Sequence, residues 1–314
     1  MNIVLLEPIG ITKTNIYRIK ADFNTSGNEF VSYDSKPEND VEIIKRAKNA
    51  DIIVLSNLPI SKAVINACDK LKMISVAFAG VDHIPMDLCR KRNIIVSNGG
   101  GYSNNAVAEL VIGSAINLFR KIIWSDSQTR KRSTRDGFLG SELFGKTFGV
   151  IGLGKIGQTT ATLALAFGCK VIAYNRTPKS IPKIESVELD YLLKESDVIS
   201  IHIPLTKDSK HLLNKEKLQL LKASSILINT ARGAIVDYTE LSKLLKKNFI
   251  AGAAIDVYEK EPPLEDNHPL LDAPNTILLP HIGYATNEAI ELRGNIVIDN
   301  IKNWINGKPQ NAMN

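Results

Sequence analysis

The stretch Lys146–Gln158, KTFGVIGLGKIGQ, decides the fold. An apolar run from Phe148 to Ile151 leads into Gly152, Gly154 and Gly157, and an Ala/Leu/Thr-rich segment with helical character follows. A buried strand, a glycine turn and a helix in that order are what a phosphate-binding βα unit requires. The first glycine permits the tight turn, the second lets the backbone approach a pyrophosphate, and the third lets helix and strand pack closely. The amides exposed at the helix start then face the phosphates. The motif G-x-G-x-x-G is short and weak by itself; its position between strand and helix gives it weight.

The next strand, KVIAYN, ends at Asn175, followed by Arg176 and Thr177. A site built for NAD places a carboxylate at that strand end to bind the ribose 2′-hydroxyl. A carboxylate there would repel a 2′-phosphate by roughly 4 kcal/mol for unit charges about 4 Å apart at an effective dielectric near 20. Asn175 removes the repulsion, Arg176 offers a bidentate cationic fork, and Thr177 adds a hydroxyl donor. This set predicts NADP(H) as the preferred cofactor, with NAD(H) possible.

Outward from this turn the whole chain has the same rhythm. Before it, NIVLLEP, EFVSYD, DIIVLSN, MISVAFA and NIIVSN alternate with helical patterns such as VEIIKRAKNA. After it come DVISIHI, SILINTA, IAGAAIDV and TILLPH, again with helical segments between. Apolar strands separated by segments of 3.6-residue period indicate parallel α/β sheets. At 314 residues the chain is long enough for two domains. The glycine cluster at 99–101 marks a hinge, and one long helix is expected from Ser103 to about Arg132. The closing pattern NEAIELRGNIVIDNIKNWINGK reads as a single helix returning to the first domain. The expected domains are 1–98 with 283–314, and 99–282.

Composition narrows the function classes. Hydrophobic residues at 44% and charged residues at 23% suit a soluble globular chain, and no apolar run reaches membrane-span length. The start, MNIVLLEPIG, reads as a buried strand and not a secretion signal, which predicts a cytoplasmic protein. Cys68, Cys89 and Cys169 have no disulfide or zinc spacing and are expected to be buried thiols; no metal is expected. The net charge of +6 is dispersed except in RKRSTR at 130–135. That run has no interleaved aromatics, so it reads as a solvated helix end and not a nucleic-acid surface.

Three polar patches follow strands of the second half. Arg232 lies in INTARG, Glu261 in IDVYEKEPPL and His281 in LLPHIGYAT. Ligands of open α/β sheets bind outside the carboxyl ends of the strands. An arginine can clamp a carboxylate, a histidine can move a proton to or from a carbonyl, and an acid can orient the histidine and favour its protonated form. Singly each residue has a structural reading as a cap, a surface acid or a satisfied core histidine; together they form a working set.

These motifs, with AFAGVDHIPMDLCRKRNIIVSN, GYSNNAVAEL and DVISIHIPLT, resemble the D-2-hydroxyacid dehydrogenases, the family that includes D-3-phosphoglycerate dehydrogenase and the glyoxylate/hydroxypyruvate reductases. The resemblance runs over nearly the whole chain. It implies two doubly wound parallel-sheet (Rossmann/flavodoxin-like) domains with a cleft between them, and reduction of a small anionic 2-keto acid to the D-2-hydroxy acid. It implies that Arg232 binds the substrate carboxylate, that His281 is the general acid in reduction, and that Glu261 pairs with His281. The backbone at Ala79, Gly80 and Val81 would hold the carboxylate's other side. Asp256 would fix the nicotinamide carboxamide, and Lys155, Ile156, His202, Pro204, Thr230 and Ala231 would touch the cofactor. A homodimer is expected through the helix that carries Trp124, for which a buried core position is the alternative. Substrate choice is expected from Ser75–Val81, Tyr102 and Tyr284. The missing strand-end acid is the main departure from the family's commonest pattern. Phosphoglycerate oxidation, phosphite oxidation and a dinucleotide-sensing corepressor are the competing readings.

Overall fold

The structure is a computed structural model that describes residues 1–260 and 263–314. The chain divides into two compact units, Met1–Ser103 with Ala285–Asn314, and Asn104–Tyr284.

In the first unit, β1 (Asn2–Leu5), β2 (Glu29–Ser32), β3 (Ile52–Leu55), β4 (Met73–Val76) and β5 (Ile95–Asn98) form one parallel sheet in the order β2-β1-β3-β4-β5. The side-chain period of two sorts each strand between two cores. Ile3, Leu5, Ile52 and Val54 pack with Phe23, Phe30, Val297 and Ile301 on one face. Val4, Leu6, Ile53 and Leu55 pack with Ile43, Val64 and Ile65 on the other. Because both faces are covered, the strands read as unbroken apolar runs. The last helix, Asn287–Ile305, starts at Thr286, whose side chain accepts the Ala289 N–H, and it lies on this unit's sheet. Ser75 Oγ donates to the Val297 carbonyl at 3.1 Å, and Asn300 Nδ2 donates to the Asn98 carbonyl at 2.9 Å.

The second unit holds β6 (Thr147–Ile151), β7 (Lys170–Tyr174), β8 (Ile184–Ser186), β9 (Val198–Ile201), β10 (Ile226–Asn229), β11 (Gly252–Ile255) and β12 (Thr276–Leu278). They form one parallel sheet in the order β12-β11-β10-β9-β6-β7-β8. The chain builds outward from β6 through β7 to β8, then crosses to β9 on the other side of β6. That reversal is the switch point at which doubly wound sheets open a crevice. Strand β8 goes unread in the sequence because it is three residues long and largely exposed.

One detail departs from the expected pattern. The single helix expected from Ser103 to about Arg132 is two helices, Asn104–Arg120 and Ile122–Arg130, with Lys121 between them in the left-handed region at φ 45°. The ladder is diverted here. The Phe119 carbonyl accepts the Ser141 N–H at 3.1 Å, and the Asn117 side chain accepts the Ile123 N–H at 3.3 Å. Trp124 is 39% exposed, which overturns its alternative placement in a core. The three cysteines are free and buried, and burial raises each thiol's pKa, that of Cys169 to about 11.

Glu7 follows β1 at the first sheet's own reversal point, between β1 and β3. Its buried Oε1 accepts the Ser56 and Leu58 amides at 2.8 and 2.9 Å. Glu7→Ala leaves both buried donors without that acceptor, a cost on the order of 3 kcal/mol. The expected result is a lower urea midpoint for the first unit. It is checked with Trp304 fluorescence in a Trp124→Phe background, since the two tryptophans lie in different units.

Candidate active site

At the end of β6 the three glycines meet three different steric demands. Gly152 has φ +101°, and a Cβ there would stand 2.6 Å from the His202 carbonyl oxygen. At Gly157 a Cβ would fall 1.9 Å from the Gly152 carbonyl oxygen, so the helix Lys155–Ala166 lies directly on the turn. Gly154, the residue before that helix, has open space where its Cβ would be and no side-chain cap on the helix amides. Its bare face, with the amides of Lys155 and Ile156 behind it, fits an anionic phosphate group.

The loop after β7 ties back to this turn. Asn175 Oδ1 accepts the Leu153 N–H at 3.1 Å, and its Nδ2 donates to the Thr177 carbonyl at 2.6 Å. Lys179 Nζ and Gln158 Nε2 both donate to the Leu153 carbonyl at 2.9 Å. Asn175 is therefore part of the turn's scaffold as well as an uncharged strand end. Arg176 is 85% exposed at its side chain, and its contact with the equally exposed Asp208 is 4.0 Å long. An exposed pair at that distance is worth little. Tyr174, Asn175, Arg176, Thr177, Pro204 and Leu212 are among the residues lining a cavity of about 260 Å³.

At the end of β9, His202 Nε2 lies 2.8 Å from Ser200 Oγ, and burial pushes its pKa down to about 3. The ring is neutral at physiological pH and adds no charge beside the turn. Pro204 follows two residues on, its carbonyl accepting Ser209 Oγ at 2.7 Å.

The structure puts β10, β11 and β12 side by side, so the residues after them share one edge of the sheet. Beyond β10, Ala231 N donates to Asn229 Oδ1 at 3.0 Å, and Arg232 Nη1 donates to the Ala231 carbonyl at 2.7 Å. Thr230 Oγ1 is buried with no hydrogen-bond partner among the described residues. Asp256 follows β11 directly and is 1% exposed. Its two oxygens accept the Ile282 and Gly283 amides at 2.7 and 2.8 Å. Those amides follow His281, which sits in the left-handed region at φ +58° with its ring edge-on to Tyr284 at 5.6 Å. Arg232, Asp256 and His281 are thus brought to one edge, while Glu261 lies outside the described residues. The loop residues Ala79, Gly80 and Val81 belong to the first unit and are half-buried beyond β4. There the Ala79 carbonyl accepts Asn98 Nδ2 at 2.7 Å.

Lys179, Gln158 and Asn229 do not stand out in the sequence as site residues. A polar residue closing the apolar strand SILIN was the available signal for Asn229; the other two are indistinguishable from surface residues until the turn closes.

A glycine turn at a switch point and a cation, an acid and a histidine on one sheet edge define a dinucleotide-binding α/β enzyme. The model of the D-isomer specific 2-hydroxyacid dehydrogenase NAD-binding domain matches residues 112–283. The chain is 38% identical over 298 residues to a glyoxylate reductase of Thermofilum pendens, covering 91% of this chain and 88% of that one. It is also 38% identical over 281 residues to a D-3-phosphoglycerate dehydrogenase of Methanocaldococcus jannaschii, 87% of this chain but 53% of that protein. Among solved structures, an acyclic imino acid reductase in complex with NADPH and D-Arg superposes with a TM-score of 0.91 at 32% identity, with all of both chains covered. The protein belongs to the D-isomer specific 2-hydroxyacid dehydrogenase family. It is a nicotinamide-dependent oxidoreductase of 2-hydroxy and 2-keto acids.

Two outcomes follow from this geometry. Gly154→Ala meets no neighbour, so it should melt close to wild type yet weaken binding of the nicotinamide cofactor, whereas Gly157→Ala should lower the melting temperature itself. Thermal melts with and without NADH or NADPH separate the two. In the unfolded chain His202 takes up a proton near pH 6.5, which the folded chain refuses until about pH 3. The folded state therefore loses stability as pH falls through that window, and His202→Asn should flatten the decline in urea midpoint between pH 7.5 and pH 5.

Proposed function

We propose that the protein reduces a small 2-keto acid of the glyoxylate or hydroxypyruvate type to its D-2-hydroxy acid, with NADPH preferred and NADH usable. The bound nicotinamide supplies the hydride that reaches C2. Arg232 clamps the substrate carboxylate and polarises the carbonyl, and Ala79, Gly80 and Val81 supply the second set of substrate contacts. His281 donates the proton to the carbonyl oxygen, and Glu261 pairs with it to favour the protonated ring. Gly152, Gly154, Lys155, Ile156 and Gly157 hold the pyrophosphate. Asn175, Arg176 and Thr177 take the ribose end. His202, Pro204, Thr230, Ala231 and Asp256 line the remainder of the cofactor site.

The observation that carries this reading is the common edge of β10, β11 and β12, where Asp256 fixes the turn after His281 and Asn229 fixes the turn that holds Arg232. The NADPH preference rests on an uncharged Asn175 beside an exposed Arg176. Identity to glyoxylate reductases over nearly the full length supports the substrate class. The likeness to the imino acid reductase supports one second reading, a C=N bond in place of C=O at the same carbon.

We also assign a homodimer and a cytoplasmic location. The helix Ile122–Arg130 exposes Ile122, Ile123 and Trp124 beside a groove of about 520 Å³, an apolar face that a second copy would cover. Three free cysteines suit a reducing compartment. Light scattering should give twice the chain mass, and Ile123→Glu should give the monomer.

A panel of keto acids with NADPH or NADH, keto acids with amines, and phosphite with NADP tests the reaction. Glyoxylate or hydroxypyruvate with NADPH should give the highest kcat/KM. Arg232→Ala should raise the keto-acid KM by roughly a hundredfold, consistent with loss of a charged bidentate contact. His281→Ala should cut kcat by at least about a hundredfold. Arg176→Ala should raise the KM for NADPH far more than that for NADH; equal effects would remove Arg176 from the phosphate.

A further inference from the structure

We infer that Asn229 and Tyr238 are positioning residues for Arg232, forming a buried polar strut that ties the arginine's turn to the segment that fixes His281. The inference rests on the proposed role of Arg232 as the substrate clamp.

Asn229 closes β10 and is fully buried, and its whole amide is committed to the next three residues and to one tyrosine. Oδ1 accepts the Ala231 N–H at 3.0 Å, while Nδ2 donates to the Arg232 carbonyl at 3.0 Å and to Tyr238 Oη at 2.8 Å. Tyr238, the first residue of the helix Tyr238–Lys246, is also buried, and its hydroxyl donates to the Val257 carbonyl at 2.7 Å. Val257 follows Asp256, whose carboxylate holds the amides after His281. A continuous chain of hydrogen bonds therefore runs from the Arg232 backbone through Asn229, Tyr238 and the 256–257 segment to the histidine's turn.

Packing closes the same path from outside. A Cβ on Gly233 would stand 2.0 Å from the Tyr258 carbonyl carbon, so the residue after Arg232 rests on that backbone. The Tyr238 ring is held by Tyr258 and His268, with centroids at 6.3 and 6.1 Å. Burial raises the Tyr238 pKa well above its ordinary value, so the hydroxyl stays protonated and remains a donor. A donor that must point at Val257 leaves its lone pairs for Asn229, which fixes the amide's orientation and with it the Arg232 carbonyl. Removing the hydroxyl frees the Asn229 amide and loosens the guanidinium's base, so the loss is read mainly in substrate binding.

The test is a double-mutant cycle of Tyr238→Phe with Arg232→Ala, measured as the KM for the best keto acid and for NADPH. Phe fills the same ring space, so the single variant should fold and melt within a few degrees of wild type. It should raise the keto-acid KM by about five- to tenfold with the NADPH KM within about twofold, and in the Arg232→Ala background it should add nothing. An unchanged keto-acid KM in Tyr238→Phe overturns the inference, as does a Tyr238→Phe effect of full size in the double variant. If Arg232→Ala itself leaves the keto-acid KM unchanged, the substrate role of Arg232 falls, and this inference falls with it.

Discussion

Ile255 pairs with Asn229 on one side and with Leu278 on the other, in register and parallel. That pairing levels the ends of three strands and fixes which residues can share an edge. A slip of one residue at β11 would turn the Asp256 side chain to the opposite face and strand the amides of Ile282 and Gly283. The chemistry proposed for Arg232 and His281 depends on this backbone register before it depends on either side chain. Parallel strands all finish at the same edge, so three separate loops reach one place without any of them being long.

The second dependence is on where charge is withheld. Around the glycine turn, the strand-end residue Asn175 is neutral, His202 is held neutral by burial, and the Leu153 carbonyl takes the Lys179 ammonium. Asp256 is a buried carboxylate of the edge, and two backbone amides engage its oxygens. The cations are the converse. Arg176 stays exposed in the loop after β7, and Arg232 is anchored through its own backbone. An anionic substrate and an anionic cofactor call for this distribution.

Much of this was legible in the sequence because the relevant residues have steric or chemical demands that few others meet. Gly152, Gly154 and Gly157 could be read as three separate requirements, and the geometry shows a positive φ, an open face and a near contact at those positions. Strand order was not legible, since an apolar run shows that a strand exists but not which strand lies beside it. The break at Lys121 was hidden for a different reason. No glycine or proline marks it, and the carbonyl that diverts the ladder is satisfied by Ser141, twenty-two residues on. Asn229 lies inside the apolar run SILINTA, where its polarity alone sets it apart, because its side-chain bonds to the Ala231 amide and the Arg232 carbonyl form only once the turn closes, and its third bond only once Tyr238 folds back over it. The pairing of Glu261 with His281 stands as an expectation from resemblance, as Glu261 lies outside the described residues.

His281 adopts a backbone conformation that few side chains tolerate. Residues with φ near +58° are uncommon outside glycine, and asparagine, aspartate and histidine are the side chains enriched there. The turn therefore filters what can occupy the position proposed for the proton donor before any chemistry is considered. Lysine does occur at positive φ in this chain, at Lys121 and Lys183, but an ammonium is a far weaker acid than an imidazolium, while tyrosine or glutamate would bring a proton-carrying group at the cost of backbone strain. Histidine fits the shape and can also carry a proton, which narrows the residues that could serve the proposed role at this position. Evolution of new substrates in such a scaffold would more readily proceed through the residues around the turn than through the turn itself.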